Sequence, residues 1–101
     1  MFNFSNFSEV ISYIEEKYHC VATAFKNGEV QNAADQNQGS AKVLYFAQLN
    51  NLSKEDTLKL FAEHYQNVLE NPQEDSHQNI RNFMKHGWEG VSFDGVVLEK
   101  K

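Results

Sequence analysis

The sequence is poor in the residues that cross-link or sharply bend a chain, with one cysteine and one proline among 101 residues. The single cysteine, Cys20, cannot form a disulfide within the chain, which is typical of a protein kept in a reducing compartment. We interpret Cys20 as a buried structural thiol rather than a nucleophile. Cysteine and histidine also lack the spacing of a metal site. We therefore expect neither a metal nor a cofactor.

Positive charge is scarce as well. Nine basic residues stand against fourteen acidic ones, giving a formal net charge of −5, and the acids are spread along the chain. This argues against the basic groove of a nucleic-acid-binding protein and against the polybasic patch of a membrane-surface protein. No apolar run is long enough to cross a bilayer, and the first residues lack the basic-then-apolar pattern of a secretion signal. We expect a protein that contacts neither nucleic acid nor membrane.

Aromatic residues, by contrast, make up 13% of the chain. Its length suits one domain, residues 1–101, with a compact and aromatic-rich core. Helical periodicity together with N-cap residues predicts four helices. The first spans residues 1–19 with a capping box at Asn6, and the others begin at Ser40, Ser53 and Asp75. The helix from Ser40 through Leu49 is so apolar that a buried strand is the alternative.

Two glycine-containing turn signals predict antiparallel hairpins, at Asn27-Gly28 and at Asp94-Gly95. The lone Pro72 ends the third helix, and Gly87 ends the fourth, so that Trp88 can fold back over the core. The predicted fold is therefore α+β, one small domain with about four helices packed on short antiparallel hairpins. We expect the last three residues to be frayed. The oligomeric state stays open.

One polar cluster is a candidate site. His77 and Arg81 are four residues apart and share a helix face, and Asp75 stands at the helix start, where backbone N–H groups favour an anion. The second half of this candidate site is an asparagine-rich loop, Asn32–Lys42. The candidate ligand-binding residues, for a carboxylate or phosphate, are Asn32, Asn37, Lys42, Asp75, His77, Asn79 and Arg81. The alternative is structural: Asp75 caps the helix, Arg81 pairs with a surface acid and His77 borders the core. No complete catalytic set is present.

Several stretches of the sequence match the pattern of a known family. The chain resembles the HopJ family, named for a type III secretion effector of plant-pathogenic bacteria, from about Phe25 almost to the C-terminus. The matching stretches are FKNG at 25–28, NAA at 32–34, NQGSAK at 37–42, NP at 71–72, HQNIRNFM at 77–84 and GWEG at 87–90. The chain departs from the family at Ala41, where Cys is common, and at Asp35, Gln66 and Ser76.

The resemblance implies a small α+β protein of the bacterial cytoplasm with no assigned activity, and only the family name implies secretion into a host cell. We favour a non-enzymatic interaction protein with a possible protein partner, which predicts an exposed apolar patch of several hundred Å². The alternative is a small enzyme or anion-ligand binder that uses the Asn32–Lys42 loop and the Asp75–Arg81 helix start. In that version His77 moves a proton, Asp75 orients it, and Lys42 or Arg81 holds the anion.

Overall fold

Five α-helices and five three-residue strands make up the α+β fold of residues 4–101, the part of the chain that the computed structural model describes. The predicted fold class is confirmed. In chain order the elements are α1 Phe7–Lys17, β1 Tyr18–Cys20, β2 Phe25–Asn27, β3 Val30–Asn32, α2 Gln38–Leu49, α3 Lys54–Lys59, α4 Glu63–Glu70, α5 Gln78–His86, a 3-10 turn Gly87–Gly90, β4 Val91–Phe93 and β5 Leu98–Lys100. None of these helices is long and apolar enough to cross a bilayer.

The first helix begins where its capping residue predicts. The side-chain oxygen of Asn6 accepts a hydrogen bond from the backbone N–H of Glu9 at 3.0 Å, and Val10 and Ile14 are fully buried on the inner face. Helix α1 ends at Lys17 rather than at residue 19, because Tyr18 turns into extended backbone and starts β1. The part of the predicted helix before residue 4 lies outside the described residues.

The first predicted hairpin is confirmed with a shift of one residue. Strand β2 pairs antiparallel with β3, and Asn27 faces Val30, so Gly28 and Glu29 form the two-residue turn. Gly28 adopts a left-handed φ of 62°. A side chain there would clash, since an added Cβ would overlap the His86 ring. Glycine is therefore required at this turn by both conformation and space.

The second predicted hairpin is wrong. Strand β4 pairs with β2, in a three-stranded sheet of order β3-β2-β4, whereas β5 pairs with β1 in a separate two-stranded sheet. The chain crosses between the sheets after Phe93, because Phe93 stacks on Phe25 at 5.9 Å while Val97 and Leu98 are buried elsewhere in the core. The prediction of a frayed C-terminus is also wrong, since residues through Lys100 belong to β5.

The predicted third helix is two helices. The side chain of Ser53 caps α3 as predicted, accepting from the Asp56 N–H at 3.1 Å. The chain then breaks at Ala62, whose φ of 52° no α-helix contains. Leu60 and Phe61, just before the break, are both buried. The break rotates α4, so its start faces helix α1 rather than continuing the stripe of α3.

The core is aromatic, as its composition predicts. Phe46, Phe61 and Phe83 are among the largest fully buried side chains. Trp88 folds back over α5 with its ring edge-on to Phe83 at 4.9 Å, and its indole N–H donates to the Leu52 carbonyl at 3.1 Å. The run through Leu49 is a helix, not the alternative strand. Cys20, expected to be buried, is exposed at the end of β1.

Candidate functional site

A groove of about 490 Å³ lies where the first turns of α2 and α5 approach the starts of α1 and α4. We call it the helix-start groove. Its lining consists of aromatic side chains on one side and of polar first-turn residues on the other. No other place among the described residues brings so many helix starts together, which makes this the natural candidate for a ligand site.

Helices α2 and α5 reach the groove with N-termini that no N-cap side chain caps. The residues before them, Asn37 and His77, have left-handed φ angles of 51° and 53°, and neither side chain makes a capping hydrogen bond. The first N–H groups of an α-helix have no acceptor within the helix, and they carry the positive end of its dipole. Gly39 and Ser40 of α2 and Gln78 of α5 line the groove. Both helices therefore present backbone donors to the same space.

The start of α5 corrects one sequence-based interpretation. Asp75 does not cap this helix, which begins three residues later, at Gln78. The side chain of Gln78 instead donates to the backbone carbonyl of Asp75. The segment before the helix bends through the left-handed His77, and a residue at a left-handed N-cap does not hold its side chain over the first turn in the usual way.

The aromatic wall of the groove is a continuous row of rings. Phe7 stacks on Phe61 with ring centroids 5.9 Å apart, and His64 meets Phe7 edge-on at 4.9 Å. His64 in turn lies against His77, with their ring centroids 5.0 Å apart. The row ends in two imidazoles beside the helix starts, so it offers an apolar surface at one end and proton-carrying groups at the other.

The surroundings of the groove lower the pKa of two ionisable groups, His77 and Glu63. Partial desolvation lowers the pKa of His77, and the charges of His64 and Arg81 lower it further. The pKa of Glu63 is also lowered, chiefly because its carboxylate accepts the backbone N–H of Phe7 at 2.7 Å. Glu63 thus caps α1, while the surroundings of His77 disfavour its charged form.

Behind the groove, a network of asparagine side chains holds these two helices, α2 and α5, to the β2–β3 hairpin. The side-chain oxygen of Asn79 accepts from Asn27 at 3.1 Å and from Asn32 at 3.2 Å. Asn79 donates back to the Asn32 oxygen at 3.1 Å, and Asn37 donates to that same oxygen at 2.6 Å. Asn27, Asn32 and Asn79 are buried. Their hydrogen bonds fix where α2 and α5 begin.

Four of the seven candidate residues meet at this place. Asn37, His77 and Asn79 line the groove, and Asn32 joins two of them from behind. The two segments singled out in the sequence therefore do come together.

The other three candidates point elsewhere. The ammonium of Lys42 binds Glu15 of α1 at 2.9 Å. Asp75 is exposed and does not line the groove. Arg81 donates to the backbone carbonyls of Asn71, Pro72 and Ser76, rather than to a surface acid. It therefore clamps the segment that leads into His77.

Sequence reasoning missed the aromatic wall and Asn27. Nothing in the sequence places His64 in the groove, because the break at Ala62 that turns it toward Phe7 leaves no mark in the sequence. Asn27 did carry a signal, since it belongs to the Asn-Gly turn, but that signal indicated a hairpin and not a buried amide.

The comparisons with known proteins agree with this fold. A family model described as HopJ type III effector protein matches residues 3–98. The chain belongs to the HopJ family. This HopJ protein is also similar to the crystal structure of a protein of unknown function, VPA0580, with 44% sequence identity and a TM-score of 0.93. The similarity covers 95% of the HopJ chain and 81% of the other chain. No curated protein matches this HopJ chain.

Proposed function

We propose that this HopJ protein is a non-enzymatic binding domain, and that its helix-start groove holds a small molecule carrying a carboxylate or phosphate group. The observation that supports this is the convergence of two helix N-termini that no N-cap side chain caps, α2 and α5, on a groove that also contains the His64–His77 pair. Aligned N–H groups and imidazoles are the donors that anions prefer.

The two sides of the groove suit the two parts of such a ligand. The anionic group lies against the first turns of α2 and α5, and each helix end contributes about 0.3–1 kcal/mol to anion binding. The organic part packs against Phe7 and Phe61. His77 donates an N–H to the anion, and the negative charge of the ligand raises the lowered pKa of His77, so that binding takes up a proton when the pH is low enough.

The lining of the groove favours binding over catalysis. Within the described residues, the groove contains one hydroxyl group, that of Ser40, and no carboxylate. A catalytic imidazole needs a partner that orients it, and the Asp75 side chain, expected to do so, does not line the groove. We therefore assign His77 a binding role. In this proposal the protein acts in the bacterial cytoplasm, and export rests on the family name alone.

Titration with inorganic phosphate and with acetate tests the proposal. Followed by NMR at low ionic strength, phosphate shifts the amide signals of Gly39, Ser40 and Gln78 together with the imidazole signals of His64 and His77, and the shifts saturate. Saturation between about 0.1 and 10 mM corresponds to roughly 3–5 kcal/mol of binding free energy. Shifts that spread over the whole surface without saturating would refute the groove as an anion site.

A matched pair of variants assigns the binding to the groove. His77→Asn removes the imidazole while keeping a residue that tolerates the left-handed conformation. We expect it to weaken phosphate binding about tenfold, which is about 1.4 kcal/mol. His19→Asn is the control, because His19 is exposed on β1 and does not line the groove. Equal affinities in the two variants would contradict the role of His77.

A protein partner is the second candidate function, and one observation favours it. Leu69 is 48% exposed beside an open depression of about 370 Å³ that Pro72 and Met84 also line, with the charged residues Glu74, Arg81 and Lys85 around them. The test is chemical cross-linking in a bacterial lysate with Leu69→Glu and, as the control, Leu49→Glu, since Leu49 is 49% exposed on α2. A cross-linked partner lost in the first variant and kept in the second supports this function; identical patterns argue against it.

A further inference from the structure

We infer that Asn27 is a deamidation site which the folded protein protects and which the unfolded chain exposes. The inference is independent of ligand binding. Asn27-Gly28 is the only Asn-Gly pair in the sequence. In such a pair the backbone nitrogen of the glycine attacks the side-chain carbonyl carbon of the asparagine. The bond to the side-chain nitrogen breaks and ammonia leaves, giving a cyclic succinimide, which water then opens to aspartate or isoaspartate.

The fold requires both residues of this reactive pair. The Asn27 side chain is fully buried, and its amide donates to the Asn79 carbonyl at 2.7 Å and to the Asn79 side-chain oxygen at 3.1 Å. Gly28 has its left-handed φ, and an added Cβ would lie 2.8 Å from the Asn82 side-chain oxygen and closer still to His86. Exchanging either residue for one that reacts more slowly therefore costs stability. The chain retains a labile pair at the centre of its polar network.

The same contacts prevent the reaction in the folded state. The attacking atom is the nitrogen of Gly28, and its N–H donates to the Gly90 carbonyl at 2.9 Å. The leaving amide group is held by Asn79, and Asn27 itself lies in the central strand β2, paired with both Val30 and Val91. Ring closure would require the backbone to rotate out of this strand. The reaction therefore proceeds through states in which the β2–β3 turn has opened.

Deamidation in an open state is not reversed by refolding. An aspartate at this position would place a carboxylate oxygen against the carbonyl and the side-chain oxygen of Asn79, where two acceptors now receive the Asn27 amide. An isoaspartate would lengthen the backbone of β2 and misalign its pairing with β3 and β4. The aspartate product leaves a buried charge without a donor and the isoaspartate product disrupts the strand pairing, so each disfavours the native structure. Each opening of the β2–β3 turn can therefore lead to irreversible loss of the native structure through deamidation.

The test compares deamidation rates in mildly alkaline buffer with and without urea, measured by mass spectrometry of the peptide that contains Asn27. We expect the folded protein to react about a hundredfold more slowly than the unfolded chain, in step with the exchange protection of the Gly28 amide. Asn79→Ala should speed the reaction without urea and leave the rate in urea unchanged. Asn67→Ala, at an exposed position of α4, should change neither rate.

Two results would overturn the inference. One is a folded protein that deamidates as fast as the urea-unfolded chain. The other is an Asn27→Asp protein with the thermal midpoint of the wild type, which would mean that the carboxylate is tolerated at this buried position. If Asn79→Ala does not fold, the wild-type rate measured at increasing sub-denaturing urea concentrations decides the matter. It must rise as the Gly28 amide loses protection, and a flat rate refutes the protection mechanism.

Discussion

Replacing Asn79 with alanine should destabilise the fold strongly, because this side chain joins both halves of the asparagine network. The substitution removes the oxygen that accepts from Asn27 and Asn32 and the nitrogen that donates to Asn32. Asn27 keeps its bond to the backbone carbonyl of residue 79 at 2.7 Å. Asn32 keeps a long bond, 3.4 Å, to the Phe25 carbonyl. The loss is therefore three hydrogen bonds, with one buried donor left poorly satisfied.

The expected cost follows from these contacts. Three hydrogen bonds at about 0.5–1.5 kcal/mol each give roughly 1.5–4.5 kcal/mol, and we expect about 3 kcal/mol. That is a large part of the 5–15 kcal/mol typical of a domain. At about 4–8 °C per kcal/mol for a chain of this size, the thermal midpoint should fall by roughly 12–24 °C.

Urea denaturation measures the effect directly. Trp88 is the only tryptophan and packs edge-on against Phe83, so its fluorescence reports the loss of the core. Asn67→Ala is the matched control, an asparagine at an exposed helical position, where we expect a change within about 0.5 kcal/mol. A loss below about 1 kcal/mol for Asn79→Ala would show that the network is not a major source of stability.

Two further predictions concern pH and backbone conformation. The pKa of His77, which faces His64 and Arg81, is lowered in the folded protein, so the unfolded state binds more protons. The free energy of unfolding should therefore fall as the pH drops below 6.5, the ordinary pKa of histidine. In His77→Asn, the midpoint of urea denaturation should change less with pH in this range. The lowered pKa of Glu63 adds a separate loss below pH 4.5, which His77→Asn should leave in place. Gly28→Ala should cost about 2 kcal/mol or more in the same assay, since alanine meets both a left-handed φ and a clash; a neutral effect would contradict the packing described at this turn.

Local signals in the sequence were reliable where a single residue decides the structure. Asn6 and Ser53 cap their helices by accepting from the residue three positions on, and Gly87, with a φ of 64°, ends α5. Each of these depends on chemistry within one turn of helix, so no knowledge of the rest of the fold is needed. The ligand-binding hypothesis also required the loop before α2 to meet the start of α5, and these two segments do lie together.

Long-range pairing and strained backbone could not be predicted in this way. Asp94-Gly95 has the composition of a hairpin turn, but composition does not say which strand β5 will join, and its partner lies near residue 20. Alanine at position 62 rarely adopts a positive φ, so nothing in the sequence indicated the break between α3 and α4. The place of His64 in the groove depends on that break, which is why the aromatic wall was missed.

The separation of the strands into two sheets has a consequence for how the protein is made. Strand β1 must wait for β5, since Tyr18 pairs with Lys100, and β4 completes the other sheet only when Phe93 reaches Phe25. Residues 91–100 follow all five helices in the chain, so both sheets are completed only after the helices have been synthesised. Until then β1 and one edge of β2 have no partner strand, and unpaired strand edges are sites at which chains aggregate.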